Sequence, residues 1–311
     1  YKTSSYVPGA WYELGRIDVS AGKYADATKS FDVILRDYKE SAYYPKALVE
    51  MGLIELNLNN EDKALGYYQQ VVEQFPNTSE AQSALLGIKN IHMDRGTISD
   101  YFAYSSDLNG NMGEAEAEKD SLTFASAERL YLQGDCDRAI KALKSYLQLP
   151  DAEQALTASY YLGDCFNRDK KYQESLEPLL YVLEQPKNDF TNDALTRYAQ
   201  ATWELQDYNN AAKTFSRIAD EFEDENQANE GALWAMRGYY LAKSYPSAAN
   251  AATKLLAISK LDADIIREAR YTKAKSLQEI GQTDEAFKLY EALSKDTKNA
   301  EGAEASYEVV K

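Results

Sequence analysis

The chain is poor in the residue types on which most enzyme chemistry depends. Among 311 residues there is one histidine, His92, and there are two cysteines, Cys136 and Cys165. A Ser-His-Asp arrangement or a His-rich metal site therefore has almost nothing to draw on, and with no nucleophile beside it His92 reads as a surface or groove residue. Two cysteines are too few for a disulfide framework and say nothing about compartment. Their places in consecutive repeats make them candidate neighbours, and the residues favour two buried, reduced thiols filling core positions over a structural disulfide. Cys136 opens a helix, a setting in which a thiol pKa can fall, but without histidine the pair makes a poor zinc site. The phosphate-cradling patterns G-x-x-x-x-G-K-[ST] and G-x-G-x-x-G are absent, and the carboxylates follow no calcium-loop spacing. No catalytic residue, cofactor or metal is expected.

Positive charge is also scarce. Lys and Arg number 34 against 50 Asp and Glu, a formal net charge of -16. Nucleic-acid binding rests on cations that neutralise phosphates, so DNA and RNA are not expected as partners, and the same field disfavours an anionic membrane face. No stretch approaches the roughly 18 to 20 apolar residues of a spanning helix, so direct membrane insertion by this segment is not expected. The chain opens Tyr1-Lys2-Thr3-Ser4, with neither an initiator Met nor the basic-then-apolar pattern of a signal peptide, which points to a piece removed upstream.

Proline, at 7, and glycine, at 15, are sparse, while Ala, Leu, Glu, Lys and Gln recur throughout, a composition that favours helices over sheets. The 44% hydrophobic and 27% charged residues are near the averages for soluble globular proteins, so a core can be buried. The dominant signal is a repeat. Ala27, Ala64, Ser99, Ala139, Ser175, Ala211, Ala248 and Ala286 follow one another at gaps of 37, 35, 40, 36, 36, 37 and 38 residues. Twelve residues before each stands another residue, small in all but one case: Gly15, Gly52, Gly87, Ala127, Gly163, Ala199, Met236 and Ala274. Four residues after it comes a larger apolar side chain in six units: Phe31, Tyr68, Leu143, Leu179, Phe215 and Tyr290. Positions four and seven apart share a helix face, so each unit reads as two amphipathic helices whose small residues let the backbones approach while the large one fills the space beside them.

Trp11-x-x-Leu14-Gly15 followed by Ala27-x-x-x-Phe31, and then Gly52, Ala64, Tyr68 and Pro76, resemble the tetratricopeptide repeat (TPR) signature of W-x2-L-G, A-x3-F and a closing proline. Asp18 and Glu55 stand where the signature has tyrosine, and Trp is missing from that position after the first unit. The junction Phe75-Pro76-Asn77 and the Tyr-x-x-Ala entries at Tyr24, Tyr208 and Tyr245, with Tyr-x-x-Ser at Tyr172, are similar to bacterial cell-envelope TPR proteins, which favours periplasm or envelope over cytoplasm. The resemblance implies an all-α, right-handed superhelical solenoid of eight helix-turn-helix units plus the first helix of a ninth, acting as a non-enzymatic scaffold. A Gly- and Asn-containing stretch with an acidic run between Tyr104 and Ser121 predicts a joint near residue 110, dividing three repeats over 1–110 from the remainder over 111–311. The end inside a ninth unit predicts a fragment of a longer array.

In this family the first helices line the concave groove, where peptides bind. Carried onto this sequence, that face holds Tyr12 and Arg16, Val49 and Leu53, Ala84 and Ile88, Phe124 and Glu128, Tyr160 and Asp164, Thr196 and Gln200, Leu233 and Arg237, and Tyr271 and Lys275. One turn on come Leu56, Ile91, Tyr131, Asn167, Trp203, Tyr240 and Gln278. Trp, Tyr and Arg dominate interface hot spots, so the candidate groove residues are Tyr12, Arg16, Phe124, Tyr131, Tyr160, Trp203, Arg237, Tyr240 and Tyr271, contacting a protein or peptide partner. The alternative for the aromatics is packing between hairpins. Only Arg16 is basic among the first three pairs, so the carboxylate clamp of some TPR domains is not expected. A spacer or self-association module of a larger envelope protein is the alternative function, and a binding domain attached to an enzyme is a third.

Overall fold

The computed structural model describes residues 6–108 and 116–311, in which every regular element is an α-helix. In chain order these are α1 (Val7–Ser20), α2 (Tyr24–Asp37), α3 (Tyr44–Asn57), α4 (Glu61–Gln74), α5 (Ser79–Arg95), α6 (Ile98–Asp107), α7 (Glu116–Leu132) and α8 (Cys136–Tyr146). Then follow α9 (Ala155–Arg168), α10 (Tyr172–Glu184), α11 (Thr191–Glu204), α12 (Tyr208–Glu221), α13 (Glu225–Leu241), α14 (Tyr245–Leu256), α15 (Ala263–Glu279), α16 (Thr283–Leu293) and α17 (Ala300–Val310). Odd-numbered helices are the first helices of the repeats and even-numbered ones the second, an all-α repeat solenoid.

Each hairpin turns in the same way. A residue in the left-handed region stands two residues after the end of the first helix, or one after it at α5: Gly22, Gly96, Gly134 and Gly281, but also Asn59, Lys170, Gln206 and Lys243. The next backbone N–H reaches back five residues, as from Lys23 to Asp18 at 2.8 Å and from Asp207 to Thr202 at 2.9 Å, which satisfies carbonyls the helix end would leave open. Where the turn carries glycine this conformation is free of Cβ strain.

The small and large residues of the repeat meet as the spacing predicts. A Cβ added to Gly15 would lie 2.6 Å from the Phe31 ring, and one added to Gly163 would lie 2.6 Å from Leu179. The third unit departs from the expected register. Ser99 is exposed, while Ile98, Tyr101 and Ser105 are buried. Counted from Gly96, as Ala64 is counted from Asn59, the equivalent residue is Tyr101, 37 residues after Ala64 and 38 before Ala139. Its partner on α5 is Lys89, whose Nζ lies 6.0 Å from the Tyr101 ring centroid. Large and small are exchanged in this unit, with Tyr101 at the small position and Ser105 at the large one, so an alignment built on small residues slips by two. Gly87 instead packs back against Tyr68 of the previous hairpin.

The chain divides into two compact units, residues 1–133 and 134–311. The joint expected near residue 110 lies outside the described residues. Helix α7, which follows it, packs on α5: Ser126 Oγ donates to the Met93 carbonyl at 2.7 Å and Arg129 pairs with Asp94 at 2.6 Å. In the second unit Cys136 on α8 is bonded to Cys165 on α9, with Cα atoms 5.3 Å apart. This corrects the expectation of two reduced thiols. The two residues lie 29 apart in sequence, and only the packing of α8 on α9 makes them neighbours.

Candidate functional site

Most candidate groove residues are engaged in polar contacts that tie one first helix to the next within a unit, at α1–α3, α9–α11, α13–α15 and α15–α17. On α1, the Tyr12 hydroxyl donates to Glu50 of α3 at 3.2 Å and its ring packs 5.4 Å from that of Tyr43. Arg16 stands 4.0 Å from the same carboxylate. On α9, Asp164 is buried and meets Arg197 of α11 at 2.8 Å. Tyr160 is also buried, stacked on Phe190 with ring centroids 4.6 Å apart and its hydroxyl 3.4 Å from Asp193. On α13, Arg237 grips Glu268 of α15 with two hydrogen bonds of 2.7 Å, a bidentate geometry that suits guanidinium. On α15, Lys275 pairs with Glu304 of α17 at 3.0 Å, and the Tyr271 hydroxyl donates to the same carboxylate.

These contacts also set the titration behaviour. Burial, reinforced by Glu50, pushes Tyr12 up to about 12, and burial with Asp193 does the same for Tyr160. Burial and the bond to Glu304 raise Tyr271 further, and burial raises Tyr240. The Tyr271 hydroxyl, followed by Lys275, holds Glu304 below the ordinary carboxylate range. The phenols therefore stay protonated near neutrality and act as hydrogen-bond donors.

The register shift in the third unit moves its outward positions. Ala84, Ile88 and Ile91, expected on the groove face, are core residues, and Leu86, Asn90 and Met93 take their places in the repeat. Phe124 and Tyr131 are half-buried on α7, and Tyr240 packs against Tyr245 with ring centroids 6.0 Å apart.

At the junction of α11 and α13 the contact is aromatic instead. The helix pairs α9–α11 and α13–α15 pack directly on one another, whereas α11 and α13 stand farther apart. The reason lies in α13. Gly231 and Gly238 bring it against the backbone of α12, where an added Cβ would come within 2.9 Å of the Ala219 nitrogen and 3.1 Å of the Tyr208 carbonyl. Drawn onto α12, α13 leaves a gap beside α11. Trp203 and Trp234 bridge it, ring centroids 4.7 Å apart and nearly perpendicular at 81°, with Phe215 beneath at 6.1 and 6.0 Å.

A cleft of about 420 Å³ opens there, lined by Thr196, Gln200, Trp203, Phe215, Phe222 and Trp234, with Glu204 and Glu230 among its polar groups. Thr196, Gln200 and Trp203 are the three α11 positions that the repeat assigns to the groove face. Trp234 was not a candidate on spacing, because counting from Met236 selects Leu233 and Arg237. The sequence signal for it is its spacing, three residues before Arg237 on one helix, and in the structure the Arg237 guanidinium lies 4.9 Å from the Trp234 ring centroid.

Among the described residues no group of three or more His, Cys, Asp or Glu side chains could hold a metal ion. No described helix is long and apolar enough to cross a membrane.

Two family models described as tetratricopeptide repeat match residues 124–190 and 46–78. No curated protein matches the chain. Among solved structures, the P58(IPK) TPR domain is 14% identical over 97% of each chain, with a TM-score of 0.31. The Naa15/Naa10 structure bound to HypK-THB is 9% identical over 95% of this chain and 54% of that one, with a TM-score of 0.34. The C-terminal part of a TPR repeat-containing protein from Cytophaga hutchinsonii is 14% identical over 82% of this chain and 98% of that one, at 0.36. The chain contains tetratricopeptide repeats, a fold used in general for protein–protein interaction and not for catalysis.

Proposed function

We propose that the chain is a non-enzymatic scaffold that holds a segment of a partner protein on its first-helix face. The observation that carries this reading is the α11–α13 cleft. There two first helices are joined by half-buried aromatic side chains, Trp203 and Trp234, that line a cleft, and aromatic anchors in a preformed depression are what an interface hot spot requires. Within the second unit Tyr160, Arg237 and Tyr271 hold neighbouring first helices in register and Tyr240 lies on a first helix beside them, while in the first unit Tyr12 and Arg16 do so between α1 and α3, and Phe124 and Tyr131 lie on α7. A rigid wall lowers the ordering cost of binding.

The Cys136–Cys165 bond supports residence in an oxidising compartment, where disulfides persist, and so agrees with a cell-envelope setting.

Affinity capture with the wild type and a Trp203→Ala/Tyr240→Ala variant tests the reading, with helicity checked by circular dichroism. A partner retained by the wild type and lost by the folded variant is the expected result. Equal capture by both, together with concentration-dependent dimerisation of the wild type in sedimentation, would establish the spacer or self-association role in its place.

A further inference from the structure

We infer that the α11–α13 cleft selects partner segments in which a large apolar side chain stands within one helical turn of a lysine or arginine. The inference rests on the first-helix face being the binding face and names the chemistry of its ligand.

The floor of the cleft accepts an apolar anchor. Trp203, Trp234, Phe215, Ile218 and Phe222 supply apolar surface, and the volume of about 420 Å³ lies within the 300–1,000 Å³ typical of ligand pockets. Aromatic faces turned at right angles offer both a flat wall and an electron-rich one, the arrangement that receives apolar rings and cations alike.

The rim is acidic and its charge is not neutralised. Glu204 and Glu230 are both exposed at the cleft. No cation is among the lining residues. The arginines nearby are already committed: Arg197 to Asp164 at 2.8 Å, Arg217 to Glu221 at 2.8 Å, and Arg237 to Glu268 at 2.7 Å, with the Arg237 guanidinium also covering the Trp234 ring at 4.9 Å from its centroid and leaving Trp203 as the uncovered aromatic face. Glu230 accepts a hydrogen bond from Trp234 Nε1 at 3.3 Å, which keeps its carboxylate beside the aromatic wall without cancelling its charge. The chain's net charge of -16 extends the same sign beyond the site and would steer a cationic segment towards it. An acidic segment meets like charge at the rim, which costs specificity energy in the opposite sense.

The test is selection of binders from a random dodecapeptide display library on the wild type, followed by fluorescence anisotropy of the enriched peptides. Binding is compared between the wild type, Glu204→Lys/Glu230→Lys and Trp203→Ala. Both glutamates are exposed, so charge reversal leaves folding intact, and circular dichroism checks it. The expected outcome is enrichment of peptides pairing Phe, Trp, Tyr or Leu with Lys or Arg within four positions. Their Kd should rise at least tenfold in each variant and should weaken with added salt in the wild type. Enriched peptides that lack basic residues, or that bind both variants as they bind the wild type, overturn the cleft assignment and leave the broader first-helix reading standing. A library that enriches no peptide on the wild type overturns both.

Discussion

The ring of Tyr68 on α4 lies against the backbone of Gly52 on α3, so close that Gly52 has no room for a Cβ, and its opposite edge faces Gly87 on α5, where an added Cβ would lie 2.6 Å away. One ring thus fixes the spacing of two consecutive first helices. Gly52→Val should destabilise the first unit by about 2 kcal/mol, the usual scale of overpacking in a tight core. Gly66, on the exposed face of α4 with nothing within 4 Å of a new Cβ, should behave oppositely, Gly66→Ala gaining about 0.5–1 kcal/mol from helix propensity. Urea denaturation of the two variants checks the contrast in sign.

The hairpin turns predict a second contrast. Gln206 and Gly281 occupy the same left-handed position, at φ of 60° and 80°. Gln206→Gly should stabilise by about 0.5–1 kcal/mol by removing Cβ strain, whereas Gly281→Val should cost about 1–2 kcal/mol. Thermal melts of both variants read the difference.

The Cys136–Cys165 bond closes a loop across α8 and α9 with a sequence separation of 29. Loop-closure entropy for that length predicts a loss of about 3–4 kcal/mol on reduction. Denaturation of the wild type with and without a thiol reductant should show it, and Cys136→Ser/Cys165→Ser should match the reduced wild type and be insensitive to reductant.

His92 makes stability pH-dependent. Burial lowers its pKa below 6.5, with Asp100 opposing, and its Nδ1 lies 2.9 Å from Thr97 Oγ1. The folded state therefore binds a proton less readily than the unfolded chain. This contribution is fully present above pH 6.5 and is lost as the pH falls from there through the folded pKa. His92→Gln should flatten the stability profile between pH 7 and 5 relative to the wild type, measured as the difference between their urea midpoints.

The repeat was legible because it depends on local periodicity. Gly15 and Phe31, or Gly163 and Leu179, stand at fixed separations on the two arms of one hairpin, so helix geometry alone makes them meet. The same reasoning slipped at Ser99, because Tyr101 and Ser105 exchange large for small, and a pattern built on residue size cannot follow an exchange that keeps the volume of the pair. Tyr12, Arg237 and Tyr271 were correctly placed on the first helices, but sequence spacing could not say whether their polar groups face a ligand or a carboxylate on the next helix.

What the sequence by itself determined is the all-α repeat and its approximate period, since these follow from apolar spacing within about 40 residues. Only the tertiary structure decided which outward residues remain open. Gly231 and Gly238 draw α13 onto α12, the gap beside α11 leaves Trp203 and Trp234 half-buried at the cleft, and ion pairs join the first helices at α9–α11, α13–α15 and α15–α17. That outcome depends on the distance between helices in different repeats, a quantity set by the packing of hairpins and not by the pattern within any one of them.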